Sequence, residues 1–171
     1  MTGMDNDGVD VILGQWEEAR PDLDCSPMAV VGRISRVSRL LEAQLKPTFS
    51  EHGLETGEFD VLATLLRSGP PHALSAGTLS TATMVSSAAL TNRIDRLVDK
   101  GLVGREVDPT HRRRVLISLS DDGLALVNRV VELHVANERR LLAGLSAKEA
   151  AALGTLLRRL LVSLGDSHAS E

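Results

Sequence analysis

Apolar and polar residues recur along the chain with the period of an amphipathic α-helix. A short segment of this kind covers residues 10–20 and is expected to stop at Pro21. A longer one opens at Ser26, with Pro27 at its first helical position, and Pro47 is expected to end or bend it. The first part of the chain therefore predicts two helices.

The remainder of the chain continues the helical pattern, with one pair of strands inserted in it. Ser120, followed by two aspartates, and Ser146, followed three residues later by Glu149, are predicted N-caps of the last two helices. Val103–Val107 and Val115–Leu119 are rich in β-formers and flank a turn-forming loop, so they predict a hairpin. The other helices are predicted at 56–67, 75–82 and 86–100, and the last helix is expected to reach about Leu164. The core face of the 56–67 helix is predicted to carry Phe59, Leu62, Ala63 and Leu66.

The helical patterns at 75–82 and 86–100 meet at a tight turn, and the hairpin with its basic tip follows at once. The second of these helices has an apolar face for packing and an opposite side with small, amide and guanidinium groups. Asn92 can pair with adenine, an arginine with guanine, and an alanine can contact a thymine methyl group. The arginines of the tip can follow phosphates or the adjoining minor groove.

This arrangement predicts a winged helix-turn-helix that binds double-stranded DNA. A solvated amphipathic helix with ordinary surface charges is the alternative. Ser86 is the expected N-cap of the second helix, where backbone amides can meet a phosphate. The packing face of that helix is predicted to carry Leu90, Ile94, Leu97 and Val98. The residues predicted to bind DNA are Ser86, Ser87, Ala88, Ala89, Asn92, Arg96, Arg112, Arg113 and Arg114.

The charge distribution fits this interpretation better than the total charge does. The net charge of the chain is −4. Residues 84–114 hold seven Lys or Arg residues against four acids, which makes this segment +3 and the rest of the chain −7. Because salt screens exposed charges beyond about 8 Å, the local sign governs the attraction to phosphate. An acidic body with a basic DNA-reading segment is therefore compatible with DNA binding.

Composition excludes several other classes of protein. No apolar run approaches the roughly 18 residues of a membrane span, and the acidic start is not typical of a signal peptide, so we expect a cytoplasmic protein without a membrane partner. The catalytic motifs of hydrolases, phosphate-binding loops and dinucleotide loops are missing, so we do not expect an enzyme or a cofactor. The five histidines are scattered and there is one cysteine, so no metal site is predicted.

The terminal helices are too apolar to lie unpaired on the surface of a monomer. We therefore expect a homodimer, which suits a palindromic operator; the alternative is that these helices cover their own core. The predicted organisation is mainly α with a small β-hairpin wing. It comprises a disordered acidic N-terminus at 1–9, N-terminal helices at 10–53 for dimerisation and a possible ligand pocket, a winged helix-turn-helix domain at 54–119, C-terminal dimerisation helices at 120–165, and a disordered tail at 166–171.

Residues 54–119 resemble the MarR family of dimeric winged-helix regulators. The matching pieces are GEFDVLATL, the run SSAALTNRIDRLVDKGLVGREVDP and the arginine-rich tip before VLISL, and the resemblance extends over about residues 10–165. It implies an operator-binding repressor or activator whose DNA affinity changes with a small molecule or with oxidation. Members commonly carry an acid immediately before the paired arginines of the wing, and here that residue is His111. The ion pair that braces the tip in those members is thus not expected in the same form.

The N-terminal helix with its single tryptophan makes the chain similar to the urate-responsive subgroup of that family. The ligand residues implied by this resemblance are Trp16, Asp60, Arg93 and Arg105. A planar anionic purine can stack on the indole, accept hydrogen bonds from the guanidinium groups and repel the carboxylate. By analogy within the subgroup, similar sites could hold citrate or aconitate.

Each of these four residues also has a structural interpretation. Trp16 could anchor the first helix, Asp60 could be an ion-pair partner, Arg93 could contact phosphate and Arg105 could brace the wing.

A cysteine-based redox sensor is the remaining alternative. Cys25 directly precedes the long helix, a position where thiols can be reactive. Peroxide-sensing relatives surround their cysteine with tyrosines, and this chain has no tyrosine. We therefore expect Cys25 to be inert.

Overall fold

The computed structural model describes residues 6–83, 87–112 and 114–166. Over these residues the chain is mostly helical with a small antiparallel sheet, which confirms the predicted fold class. The elements are α1 (Gly8–Ala19), α2 (Ser26–Ser50), α3 (Thr56–Arg67), β1 (Ala73–Ser75), α4 (Ala76–Ala82), α5 (Ser87–Asp99), β2 (Val103–Val107), β3 (Val115–Leu119), α6 (Asp121–Leu141) and α7 (Ala147–Ser163).

The sheet has three strands in the order β1-β3-β2, whereas the sequence predicted only the β2–β3 hairpin. β3 lies in the middle, where Ile117 is opposite Leu74 of β1 and Arg105 of β2. β1 is only three residues long, and its place in the sheet depends on pairing with a strand more than forty residues away. A segment this short shows no alternation from which a strand could be predicted.

The chain divides into two compact units between Pro47 and Thr48. In the first unit α1 begins at Gly8, because Asp7 caps it by accepting hydrogen bonds from the backbone N–H groups of Val9 at 2.7 Å and Asp10 at 3.1 Å. This start corrects the prediction that the acidic N-terminus is disordered as far as residue 9. Arg33 of α2 then ties α2 to the start of α1 through Asp7 at 2.8 Å and Asp10 at 2.6 Å.

Pro47 does not end α2, contrary to one of the two outcomes expected for it. The helix continues through Pro47 to Ser50. Pro47 removes one backbone hydrogen-bond donor from α2, and only three residues follow it before the helix ends. Phe49, in the last turn, is 2% exposed and stacks on Phe59 with ring centroids 4.5 Å apart.

The second unit is built around α3, which contacts α4, α5, α6 and β3. The predicted core face of α3 is half right: Phe59 and Leu62 are buried, but Leu65 takes the place expected for Leu66. Glu58 is also completely buried on this helix, which the sequence did not predict. Two further polar side chains, Thr64 and Thr83, are buried in this unit. The remaining buried side chains are apolar: Phe49, Leu54, Val61, Leu79, Leu90, Ile94, Leu97, Val103, Ile117, Val127 and Val130.

The last two helices start where the sequence predicted. Ser120 caps α6 and Ser146 caps α7, each accepting a hydrogen bond from a backbone N–H of the first turn. The hydroxyl of Ser146 also donates to Glu149 at 2.6 Å, and this bond lowers the pKa of that carboxyl. α7 has no buried residue, and its apolar side chains are exposed. None of the helices in the described ranges has the length and apolar character of a membrane span.

Candidate nucleic-acid interface

α4 and α5 form the helix-turn-helix on the surface of α3. Leu79 of α4 is fully buried, and α5 inserts Leu90, Ile94 and Leu97 into the core. Arg67 of α3 donates to the carbonyl of Ala82 at 2.8 Å, which fixes the end of α4. With its apolar side packed in this way, α5 presents its opposite side outward.

The outward side of α5 carries part of the predicted DNA-reading set. Asn92 is exposed and Ala89 is half-buried. Ser86, predicted as N-cap and phosphate contact, lies outside the described residues, and so does Arg113 of the wing. Ser87 and Ala88 belong to α5, but their side chains are outside the described part of the structure.

Three basic residues of α5 and its C-terminal end face the beginning of α3. Arg96 binds Glu55 at 2.6 Å, and the Nζ of Lys100 binds the Oε2 of Glu58 at 2.6 Å. The guanidinium of Arg93 lies over Gly57, so close that a Cβ built on Gly57 would be 2.2 Å from its Cζ. Sequence reasoning assigned Arg96 to the DNA; its ion pair with Glu55 competes with that role.

The tip of the wing is organised by Asp108. Its Oδ1 accepts hydrogen bonds from the backbone N–H and the hydroxyl of Thr110, at 2.8 and 2.6 Å, and from the backbone N–H of His111 at 3.1 Å. These bonds, the Thr110 hydroxyl first, hold the pKa of Asp108 below its ordinary value. Asp108 therefore braces the turn in a chain that has His111 where an acid was expected.

The arginines of the wing that the structure describes, Arg112 and Arg114, are exposed. Arg114 and Val115 line a surface cleft of about 430 Å³ whose other wall is the start of α4, from Ser75 to Thr78. This places a guanidinium beside the helix-turn-helix at a position open to solvent. Such a surface, with an exposed helix flanked by a basic hairpin, has the form that duplex DNA accepts.

The residues predicted to bind an anionic ligand are distributed over both units. In the second unit, Asp60 is half-buried one turn after Gly57, so it lies on the face of α3 that Arg93 covers. Arg105 of β2 binds Asp95 of α5 at 2.6 Å, as its structural interpretation anticipated. In the first unit, Trp16 lies on α1 with 38% of its surface exposed.

Sequence reasoning missed the acids that hold this site together. Glu55 and Glu58 lie at the start of α3, three residues apart, and that spacing is the signal of a helix start that went unused. Asp108, followed by Pro109, is typical of a turn in which the aspartate accepts hydrogen bonds from the backbone ahead of it. Within the described residues, no group of three or more His, Cys, Asp or Glu side chains could hold a metal ion.

Comparison with known proteins agrees with this architecture. A model of the MarR family matches residues 52–114. The transcriptional regulator PecS of Dickeya dadantii is 46% identical over 149 residues, which cover 87% of this chain and 90% of PecS. Two solved structures are similar along most of their length. BpsR of Bordetella bronchiseptica, in a study of how 6-hydroxynicotinic acid regulates its DNA binding, has a TM-score of 0.69 and 30% identity, with 77% of this chain and 91% of BpsR covered.

The second structure is a mutant MarR from E. coli complexed with operator DNA. Its TM-score is 0.70 at 26% identity, and the match covers 85% of this chain and 97% of MarR. Both the PecS relationship and the structural likeness extend well beyond the helix-turn-helix into the flanking helices. The chain therefore belongs to the MarR family of winged-helix, DNA-binding transcriptional regulators.

Proposed function

We propose that this regulator is a repressor that binds a palindromic operator as a homodimer and releases it when a small planar anion, such as urate, binds. The observation that carries the DNA-binding surface is the combination of α5, with Asn92 exposed, and the adjoining basic wing, with Arg112 and Arg114 exposed. In this proposal α5 reads bases in the major groove, and the wing follows the phosphates or the minor groove.

The dimer is supported by apolar surface on helices outside the winged helix-turn-helix. Leu156 of α7 is 59% exposed, and Leu40 of α2 is 64% exposed. Large apolar side chains left exposed on the face of a helix mark a protein interface. The second copy of the chain is the partner we propose, since operators of this type are read by two-fold symmetric proteins.

The effector is proposed from the arrangement around Arg93. Arg93 is a residue of α5, and its guanidinium has no ion-pair partner among the described residues. The guanidinium lies over Gly57 of α3, and the same face of α3 carries Asp60. An anion bound to Arg93 would repel Asp60 and strain α3, against which α5 packs. Such an anion releases DNA only if it binds more tightly to the conformation in which α5 cannot enter the groove than to the one in which it can. BpsR, whose DNA binding is regulated by a planar aromatic acid, supports this class of ligand.

The DNA-binding proposal is tested by fluorescence anisotropy with the DNA upstream of the protein's own gene and with a random duplex. We expect Asn92→Ala to weaken operator binding while leaving random DNA unchanged, because a base contact is lost. Arg112→Ala should weaken both duplexes and reduce the salt slope by about one. Arg129→Ala, an exposed arginine of α6, is the matched control. Equal effects of Asn92→Ala on both duplexes would refute the proposed roles.

The effector proposal has its own measurement. Urate and citrate are titrated separately into the protein–operator complex, and the fluorescence of Trp16 is followed in the free protein. We expect urate to quench Trp16 and release the DNA, and Trp16→Phe to need more urate for the same release. An unchanged urate response in Trp16→Phe would remove Trp16 from the site, and release by citrate alone would select the carboxylate alternative.

A further inference from the structure

The reading helix is joined to the start of α3 by an ion pair with a buried partner. Glu58 is 0% exposed, and its Oε2 accepts hydrogen bonds from the Nζ of Lys100 at 2.6 Å and from the backbone N–H of Glu55 at 2.7 Å. The same Nζ donates to the carbonyl of Gly53 at 2.9 Å. Because a buried carboxylate without a partner is strongly unfavourable, Lys100 is needed where it is.

The other contacts of α5 extend this connection along one side of the helix. Arg93, Arg96 and Lys100 are spaced by three and four residues, so their side chains lie on neighbouring positions of one helix face. Arg96 binds Glu55, and Arg93 lies over Gly57. All three therefore reach the first turn of α3 or the residues just before it. Around the axis of α5, these three basic residues lie between the buried leucines on one side and the exposed Asn92 on the other.

From these contacts we infer that Lys100 and Glu58 form an ionic latch that sets the tilt of α5, so that Lys100 is a specificity-positioning residue and does not bind DNA. This inference rests on the proposed role of α5 as the reading helix. The apolar contacts of α5 fix which side faces inward, but hydrophobic contacts are non-directional and define the tilt of the helix less sharply. The contacts of Lys100 restrict that freedom at the C-terminal end of α5, because its Nζ donates both to the buried carboxylate of Glu58 and to the carbonyl of Gly53.

The consequence separates operator binding from general DNA affinity. Base contacts require Asn92 to be placed to within a fraction of an ångström, whereas phosphate contacts by flexible wing arginines tolerate a small tilt. Loss of the latch should therefore reduce the preference for the operator and leave binding to random DNA intact. A phosphate-binding lysine gives the opposite pattern, since its loss weakens every duplex and lowers the salt slope.

The test uses Lys100→Met, Glu58→Gln and the double variant in the full-length protein. Operator and random duplexes are titrated by fluorescence anisotropy at several salt concentrations, and folding is checked by circular dichroism. We expect each single variant to bind operator roughly tenfold more weakly, with random-DNA affinity and salt slope unchanged, because interacting pairs couple on that scale. We expect the double variant to recover most of the operator affinity, because neither an unpaired charge nor its partner remains.

Two outcomes would overturn the inference. In the first, Lys100→Met weakens binding to operator and to random DNA by the same factor and reduces the salt slope by about one. That result would identify Lys100 as a phosphate contact. The other is a double variant whose loss of operator-binding free energy equals the sum of the losses in the two single variants. If Glu58→Gln fails to fold, the salt slope of Lys100→Met alone still decides between the two roles. Lys148→Met, an exposed lysine of α7, is the control and should leave all affinities unchanged. If wild-type protein showed no operator preference at all, the proposed function itself would fail, independently of the latch.

Discussion

The junction between the wing and α6 allows a sharp test of packing. Gly123, in the first turn of α6, lies against the backbone of Leu102: a Cβ added there would be 1.9 Å from the carbonyl oxygen of Leu102 and 2.9 Å from its carbonyl carbon. The same oxygen accepts a hydrogen bond from the N–H of Ser120 at 3.1 Å, so it cannot move away freely. Gly123→Ala must therefore shift backbone.

We expect Gly123→Ala to lower the free energy of unfolding by roughly 1–3 kcal/mol, the usual cost of overpacking. For a chain of this length each kcal/mol corresponds to about 2–4 °C in Tm. Gly57→Ala is the matched control, because it makes the same change in the first turn of α3, where the three atoms nearest the added Cβ all belong to the flexible end of Arg93. We expect its free energy of unfolding to change by less than about 1 kcal/mol, since alanine also favours the helix.

The assay is thermal and urea unfolding followed by circular dichroism at one fixed protein concentration, since the stability of an oligomer depends on concentration. The comparison between the two variants decides the result. If Gly123→Ala is no less stable than Gly57→Ala, then α6 does not pack against the Leu102 carbonyl as described. A large loss in Gly57→Ala would instead mean that Arg93 is held rigidly.

Four further outcomes are expected from the same structure. Asp108→Ala should weaken binding to operator and random DNA alike, because the wing loses three hydrogen bonds to its turn; nuclear magnetic resonance of the Thr110 and His111 amides would show the lost order. Because hydrogen bonding lowers the pKa of Asp108, wild-type order in this turn should be complete above the ordinary carboxyl pKa and be lost as the pH falls through the lowered value; order that persists in fully protonated protein would contradict this. Ser120→Ala should reduce the free energy of unfolding by about 0.5–2 kcal/mol through loss of the α6 cap, measured by urea unfolding; no change would show that the cap is dispensable. Cys25→Ser should leave DNA binding and its response to mild peroxide unchanged in an anisotropy assay; a peroxide response that disappears with the thiol would support the redox alternative.

Features fixed by neighbours in the sequence were predictable, and those fixed by distant partners were not. The caps of α6 and α7 depend on a serine and the backbone that follows it, so Ser120 and Ser146 located both helix starts. The buried state of Glu58 depends on Lys100, which is 42 residues later in the chain. Hydropathy assigns a glutamate to the surface unless a partner is known. β1 was missed for the same kind of reason, since its partner strand is β3.

The pairing of the basic residues in the candidate site also depends on distant partners that the sequence does not reveal. A count of basic residues in 84–114 treats them as equivalent, yet Arg96, Lys100 and Arg105 each have an acidic partner inside the protein. Only the three-dimensional arrangement distinguishes a guanidinium that neutralises an internal acid from one that faces solvent. The sequence therefore located the helix-turn-helix and the basic wing, but it could not distinguish the individual arginines within them.

This distribution of ion pairs implies that affinity and specificity have different sources in the two halves of the DNA-binding segment. Arg96 of α5 and Lys100 just after it pair with Glu55 and Glu58 at the start of α3, whereas Arg112 and Arg114 of the wing have no acidic partner among the described residues. Each phosphate that a basic residue neutralises contributes about −0.9 to the slope of log K against log salt concentration. Most of the salt-dependent affinity should therefore come from the wing. If α5 reads bases as proposed, its contribution to binding depends on the match between Asn92 and the bases, because basic residues paired with internal acids gain little from the phosphates of random DNA.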